Sequence, residues 1–233
     1  MGKKSYWAEP YDSARDFLNL DQKVRDQFKL VRGHIDFGWH RWFSDDSQYI
    51  TILRNPQKRV FSYLNYWKQE AESYPDMDGK WFYLIRNYSP EEILSEKMHY
   101  ELENGMVRQL SGKGKTSERC SEQDLHIAMH NLEKEFLAFG LTDRFDESLA
   151  VLSQSLGWRF PILYSSAKVR SKNLIEPSNQ LSELISESNL LDAKLYQFAQ
   201  RLFEERFKGL NLSNRVARIQ QVNQLLRPLH RAC

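Results

Sequence analysis

The sequence predicts an α/β fold with a parallel sheet, and three observations carry that expectation. Tyr49–Leu53 is a short apolar run rich in β-branched residues, the pattern of a strand covered on both faces, and Phe28–Arg32 and Phe136–Leu141 also read as strands. Longer stretches with apolar residues at helical spacing alternate with them. After Tyr49–Leu53, Asn55-Pro56 ends the strand at once, because proline has no N–H for a ladder and restricts the residue before it. From Gln57 onward Val60, Phe61, Leu64 and Trp67 fall at helical spacing. This junction puts Arg54 at the carboxyl end of a strand and Ser62 in the second turn of the next helix. Ligands bind at that edge of open α/β sheets, and an arginine with a hydroxyl there suits a phosphate, the guanidinium by a charge-assisted fork. Taken alone, the pattern also fits a solvated helix start, since surface arginines after strands are common.

The remaining elements read in order. Ser13–Leu20 is a short helix, and the first strand ends at Gly33-His34. The helix after Tyr49–Leu53 runs to about Glu72, and Tyr74–Gly79, with its proline, aspartates and glycine, is a loop. Ser89-Pro-Glu-Glu92 opens a helix, with serine as N-cap, proline at the first position and acids in the first turn. Ser111–Ser121 is polar and rich in glycine and lysine, the expected mobile loop. Asp124–Glu135 is helical, the strand Phe136–Leu141 follows, and Asp146–Leu156 is a helix with an acidic start. Arg170–Asn179 is polar loop. Gln180–Phe207 holds two helices. Val216–Leu226 is amphipathic through Val216, Ile219, Val222, Leu225 and Leu226, a helix expected to pack back on its own domain. No internal repeat or linker divides the chain, so 1–233 reads as a single domain with an atypical N-terminal segment (1–27) and a C-terminal amphipathic helix and tail (208–233).

Composition narrows the function classes. At 233 residues the chain is long enough to bury a core without staples. Charged residues are 27% and nearly balanced at +2, which removes the overall basic field of a nucleic-acid binder; Arg215, Arg218, Arg227 and Arg231 are too few to restore it. Aromatics reach 13%, and Trp39, Trp42, Trp67, Trp81 and Tyr83 read chiefly as core. Cys120 and Cys233 stand apart, which argues against a disulfide framework and for a reducing compartment. No apolar run approaches a membrane span and no signal pattern opens the chain, so a cytoplasmic protein is expected.

Several segments resemble one family. Leu53-Arg-Asn-Pro-Gln-Lys-Arg-Val-Phe-Ser-Tyr63 is similar to the 3′-phosphate-binding motif L-R-D/N-P-x-x-R-x-x-S-x-Y of the carbohydrate sulfotransferases that use 3′-phosphoadenylyl sulfate (PAPS). Val31-Arg-Gly-His-Ile-Asp-Phe-Gly38 resembles the family's R-G-H-x-x-F-G segment, and Asn104–Gly112 its N-x-x-x-R-x-L-S-G segment. Phe139-Gly-Leu-Thr-Asp-Arg-Phe-Asp-Glu-Ser-Leu149 is close to its G-L-T-E-R-F-D-E-S-L block. Asn189–Arg206, with Asp192, Leu195, Tyr196 and Phe203, resembles its terminal helix. The match spans about Phe28–Arg206 and implies a P-loop-like, three-layer α/β/α sulfotransferase fold, with PAPS as sulfate donor and no metal.

The resemblance also assigns expectations to residues. Arg54 and Ser62 would hold the 3′-phosphate, Arg59 would reach it or pair with an acid, and Arg108 and Ser111 would contact cofactor or substrate. Lys113 and Lys115 would reach phosphate or an anionic sugar, or form a solvated loop. His34, at a strand's carboxyl end, resembles the histidine proposed as base in the related 2-O-sulfotransferases. Its pKa range suits deprotonation of an acceptor hydroxyl; a hydrogen-bonding structural histidine is the competing reading, and His40 the next candidate. His126 and His130 lie four apart on a helix but lack the glutamate and third ligand of a metal site. Family members begin with a strand and a P-x-x-G-T-T/S-type loop whose backbone N–H groups cradle the 5′-phosphosulfate. No such segment precedes Phe28; Met1–Ser5 reads as a solvated tail, and the chain as a truncated member, a sequence whose start is set too late, or a member that has lost the loop. Animal relatives of the family are Golgi proteins anchored by one helix. Two functions follow: sulfate transfer from PAPS to a hydroxyl, expected on a carbohydrate, or a non-catalytic remnant that binds adenosine 3′,5′-bisphosphate or a protein partner.

Overall fold

The computed structural model describes residues 4–8, 13–114, 116–159, 162–164 and 175–226. It opens with β1 (Lys4–Ala8), the short helices α1 (Ser13–Asn19) and α2 (Gln22–Arg25), and β2 (Phe28–Gly33). β1 and β2 pair in parallel, with Ser5 beside Leu30 and Ala8 beside Gly33. Lys4 and Ser5, expected as part of a solvated tail, instead begin a strand. The lysines of this segment hid a short run of strand formers around Tyr6-Trp7, and β2 supplies the ladder partner that local sequence cannot reveal. Beneath β2 a small aromatic core forms: Phe17 is fully buried, stacks on Trp39 at 5.4 Å and meets Phe28 and Phe43.

β3 (Tyr49–Leu53) and α3 (Pro56–Ser73) follow, joined as their sequence predicts. The Asn55 side chain accepts the Lys58 N–H at 3.2 Å and Pro56 takes the first helical position, so cap and proline together fix where the helix starts. Val60, Leu64 and Trp67 turn inward against Trp81, Phe82 and Leu84 of α4 (Lys80–Asn87) and against Ile93 and Leu94 of α5 (Pro90–Ser95). Ser89 caps α5 with the reciprocal Glu92 bond of a capping box.

The larger core is built by α6 (Gly105–Ser111), α7 (Glu122–Lys134), β4 (Phe136–Leu141), α8 (Phe145–Ser155), α9 (Asn179–Ser188), α10 (Leu190–Leu210) and α11 (Ser213–Leu226). Of these, α9 instead lays Leu181 and Ile185 on the α3–α5 cluster. α7 begins two residues before the expected Asp124, because Ser121 caps it and Asp124 returns the bond to the Ser121 N–H. β4 pairs in parallel with β3, Thr51 beside Phe139 and Leu53 beside Leu141. Val107, Leu132, Phe139, Leu195 and Phe203 are buried around this pair. The amphipathic α11 packs back as expected: Ile219 is buried, and the Asn223 amide donates to the Ile162 carbonyl and accepts the Tyr164 N–H, both at 2.9 Å.

The architecture is thus mixed α/β with parallel strands, but in two separate pairs, β1–β2 and β3–β4, with no ladder joining β2 to β3 among the described residues. This corrects the reading of Tyr49–Leu53 as covered on both faces. Ile50 and Ile52, which share one face of β3, remain 39% and 37% exposed, so that face is not fully covered.

The junction of β4 and α8 explains why the Phe139–Leu149 block is so tightly specified. The Ser148 hydroxyl accepts the Leu141 N–H at 2.7 Å and lies within hydrogen-bond reach of the Leu141 and Arg144 carbonyls. That draws α8 so close that a Cβ on Gly140 would sit 2.5 Å from the Ser148 Cβ. Gly140→Ala is therefore expected to lose about 1–3 kcal/mol through overpacking, lowering the midpoint of thermal unfolding followed by circular dichroism; an unchanged midpoint would show that the helix can move away freely.

Candidate functional site

The carboxyl ends of β2 and β3 open toward the residues that the sequence singled out, and the structure divides those residues into two sets. Arg54 follows β3 directly, and Ser62 projects from the second turn of α3; both are half-buried. Among the described residues neither side chain makes a hydrogen bond or an ion pair. The first turn of a long helix carries unpaired N–H groups and a partial positive charge, so an anion near Arg54 would meet both a fixed charge and a favourable dipole.

Beside Arg54 lies a cluster that sequence reasoning missed. Lys58 pairs with Asp143 at 2.8 Å, and the Tyr196 hydroxyl donates to the same carboxylate at 3.1 Å. The Lys58 hydrogen bond is the chief reason the Asp143 carboxyl is held below its ordinary range, with further help from Tyr196 and the Arg54 charge against the effect of burial. Burial, reinforced by Asp143, pushes the Tyr196 hydroxyl up to about 12. The only sequence signal was that Asp143 and Tyr196 sit inside family-like segments; their meeting is a tertiary fact.

Arg59 takes the second of its two expected roles. Its guanidinium donates to the Glu101 carbonyl at 3.0 Å and lies 3.9 Å from the Glu101 carboxylate. It also presses on α6 so closely that a Cβ on Gly105 would sit 2.5 Å from its Nη1. Arg59 thus faces inward and ties α3 to the turn before α6.

Arg108 is buried and holds its own chain through both Nη groups, while its Nε has no hydrogen-bond partner among the described residues. It pairs with Glu103 at 2.8 Å and donates to the carbonyls of Glu118 at 2.9 Å and Thr116 at 3.2 Å. Cut off from water, a guanidinium is costly without partners for its N–H groups, and beyond Glu103 the Nη groups find theirs in the loop after α6. The Ser111–Ser121 loop, expected to be mobile, is thus tied to a buried side chain at Gly114, Thr116 and Glu118. The loop starts at Gly112 (φ 79°), where a Cβ would meet the Phe37 carbonyl at 2.6 Å, and Lys113 pairs with Asp124 at 3.2 Å. Ser111 bonds only locally, donating to the Arg108 carbonyl. Lys115 lies outside the described residues.

His34 is exposed just after β2 and shares a cleft of about 10 Å³ with Asp36, Tyr100, Glu101, Gly105 and Arg108. That is room for a single water. His40 is engaged with Tyr49: its backbone N–H donates to the Tyr49 hydroxyl at 2.8 Å and its Nδ1 lies 2.9 Å from the same oxygen. The site therefore brings His34 together with Arg108 and, through Glu101, with Arg59, while Arg54 and Ser62 do not line that cleft.

Beneath it, Asp192 at the start of α10 is fully buried and accepts the N–H groups of Met106 at 3.0 Å and Val107 at 2.8 Å. Burial pushes its carboxyl up, against the Arg59 charge and these two N–H groups. Asp192→Asn keeps the shape but leaves one buried N–H facing an amide NH2. The variant is expected to lose about 1–3 kcal/mol, read as a lower denaturant midpoint with an unchanged m-value; a midpoint equal to the parent's would remove the carboxylate's capping role.

A family model described as galactose-3-O-sulfotransferase matches residues 6–233. The chain is 27% identical over 188 residues to the mouse protein "Galactose-3-O-sulfotransferase 3", covering 76% of this chain and 43% of that protein. It is 24% identical over 201 residues to mouse "Galactose-3-O-sulfotransferase 2", covering 80% and 48%. Human "Galactose-3-O-sulfotransferase 3" is 28% identical over 163 residues, covering 66% and 37%. The chain thus spans less than half the length of these curated relatives. No solved structure matches it. These matches overturn the expectation of a cytoplasmic protein: they are to mammalian enzymes, the animal branch associated with a single-helix Golgi anchor. No helix among the described residues is long and apolar enough to cross a membrane.

Proposed function

The chain belongs to the galactose-3-O-sulfotransferase family, and from that premise we propose that it serves sulfate transfer from PAPS to a carbohydrate hydroxyl, the 3-hydroxyl of a galactose unit being the acceptor its relatives' names point to. The observation that carries this reading is Arg54. It stands at the carboxyl end of β3 ahead of a capped eighteen-residue helix, with its guanidinium uncommitted among the described residues while Arg59 and Arg108 are both engaged internally. The donor set fits a phosphate: one fork-shaped cation, the Ser62 hydroxyl and a helix N-terminus.

In this reading Arg54 and Ser62 bind and orient the 3′-phosphate of the donor, and Lys58, held by Asp143, adds positive charge at the rim. PAPS, when bound, supplies an activated sulfuryl group on a phosphate leaving group. Arg59, Arg108 and Ser111 act one step back, holding α3, α6 and the 112–118 loop as the floor. His34 is the base that accepts the proton of the acceptor hydroxyl, at the end of β2. The fold that would present them so is the three-layer α/β/α sulfotransferase arrangement. No P-x-x-G-T-T/S pattern occurs in these 233 residues, so the motif residues present are those of the 3′-phosphate half, and turnover also needs donors for the 5′-phosphosulfate. The same observation favours the second reading, a chain that binds the bisphosphate without turnover.

Calorimetric titration with adenosine 3′,5′-bisphosphate tests the shared core of both. Saturable binding is expected, weakened roughly ten- to a hundredfold in Arg54→Ala, the worth of about 1.5–3 kcal/mol for a charge-assisted contact. Equal binding by the two proteins, or none by a folded parent, would refute the site. Sulfate release to a galactoside acceptor then separates enzyme from binder.

A further inference from the structure

A carboxylate stands at the sheet edge that is otherwise set up for an anion. β3 and β4 end level, Leu53 beside Leu141, so Arg54 and the turn Thr142–Arg144 leave the sheet side by side. Lys58 lies four residues after Arg54 and four before Ser62, and the second spacing puts Lys58 and Ser62 on one face of α3. Arg54, Lys58 and Ser62 thus gather at the start of that helix. Asp143 reaches across to Lys58 at 2.8 Å, and the Tyr196 hydroxyl fastens it from behind at 3.1 Å. The Lys58 hydrogen bond first, then Tyr196 and the Arg54 charge, hold the Asp143 carboxyl below its ordinary range, so it is ionised at neutral pH. Arg144, next in the chain, lends this group no charge, being paired with Glu147 and Glu204.

We propose that Asp143 is a resident counter-anion of the 3′-phosphate site: it occupies Lys58 while the site is empty, yields Lys58 to the phosphate on binding, and by its own charge limits how tightly the nucleotide is held. The inference rests on the donor-site reading and deepens it. The two side chains suit such an exchange. Lys58 is 60% exposed, and an ion pair this open to water is weak, so a doubly charged phosphate draws the ammonium away readily. Asp143 has no need to move, because the buried Tyr196 keeps donating to its other oxygen. Carboxylate and phosphate then flank one ammonium, and their repulsion grows with the charge of the ligand. That repulsion outweighs any ordering of Lys58 by Asp143 beforehand, since an exposed pair orders a lysine only weakly. The consequence is release. A site with both cations free would retain adenosine 3′,5′-bisphosphate, the product left once the sulfuryl group has gone, and product release limits turnover in many enzymes.

Calorimetry on the 233-residue chain with adenosine 3′,5′-bisphosphate, and with adenosine 5′-phosphate as the ligand lacking the 3′-phosphate, tests the role. Asp143→Asn keeps the shape of the side chain, Asp143→Ser removes the charge without the amide, and thermal unfolding checks that both fold. Each is expected to bind the bisphosphate about three- to tenfold more tightly than the parent at low salt. The gain should shrink as salt rises, adenosine 5′-phosphate should gain little, and dissociation of the bisphosphate should slow in step. Equal or weaker bisphosphate binding by the folded variants would overturn the inference, the weaker result making Asp143 a residue that positions Lys58. A gain shared in full by adenosine 5′-phosphate, or indifferent to salt, would also overturn it by pointing to a general relaxation of the fold. All of these results leave the donor-site reading in place so long as Arg54→Ala loses affinity. No binding by the parent or the variants would overturn both.

Discussion

Two helix starts are locked to each other, and the rest of the larger core hangs on that lock. Asn104 sits in the left-handed region (φ 47°), tolerable for asparagine, and its side-chain oxygen accepts the N–H groups of Leu191 and Asp192 at 2.9 and 3.0 Å. In return Asn189 accepts the Asn104 N–H at 3.1 Å, and Asp192 accepts Met106 and Val107. Each segment thus satisfies the orphan N–H groups at the start of the other's helix. A buried arrangement of this kind is all-or-none: with every member paired it fixes one geometry, and with one missing it leaves polar groups stranded away from water. It sets where α6 meets α10, hence where Arg108 points and where Gly105 receives Arg59.

Seen from that lock, most of the family-like motif residues are framework. Arg108 ties down the loop after α6, Gly140 and Ser148 set the spacing of β4 and α8, and Arg144 binds Glu147 and Glu204 while lying over the Phe203 and Phe207 rings at 4.9 and 5.3 Å. A motif of this sort is specific because a clasp or a close approach tolerates few residue types, and that specificity resembles the specificity of chemistry when only the sequence is in view. Arg54 and Ser62 differ in having no such internal employment among the described residues. Their freedom, set against the occupation of Arg59 and Arg108, separates the part of the motif that can bind from the part that holds.

The split sheet is the other governing constraint. β4 is buried as its composition demands, because β3 and the helices α7, α8 and α10 surround it. β3 is of comparable apolar character yet leaves Ile50 and Ile52 partly in water, while β2, with Lys29 and Arg32 in it, is mostly exposed along its length.

Local chemistry settled much of this protein from its sequence. The bounds of the Tyr49–Leu53 strand, the Asn55-Pro56 helix start, the Ser89 N-cap and the Phe136–Leu141 strand each depend on residues within a turn of one another, and each stands as read. So did the placement of Arg54 at a strand end, since that is a matter of neighbours in the chain. What only the tertiary structure decided involves partners far apart in sequence: β1 becoming a strand because β2 lies beside it, Arg59 turning inward to Glu101, Arg108 immobilising its loop, and Asp143 collecting Lys58 and Tyr196. The physical reason is that hydrogen bonds and burial are satisfied by whatever is near in space. A strand former without a visible ladder, or an arginine without a visible acid, carries no local sign of which partner the fold will bring to it.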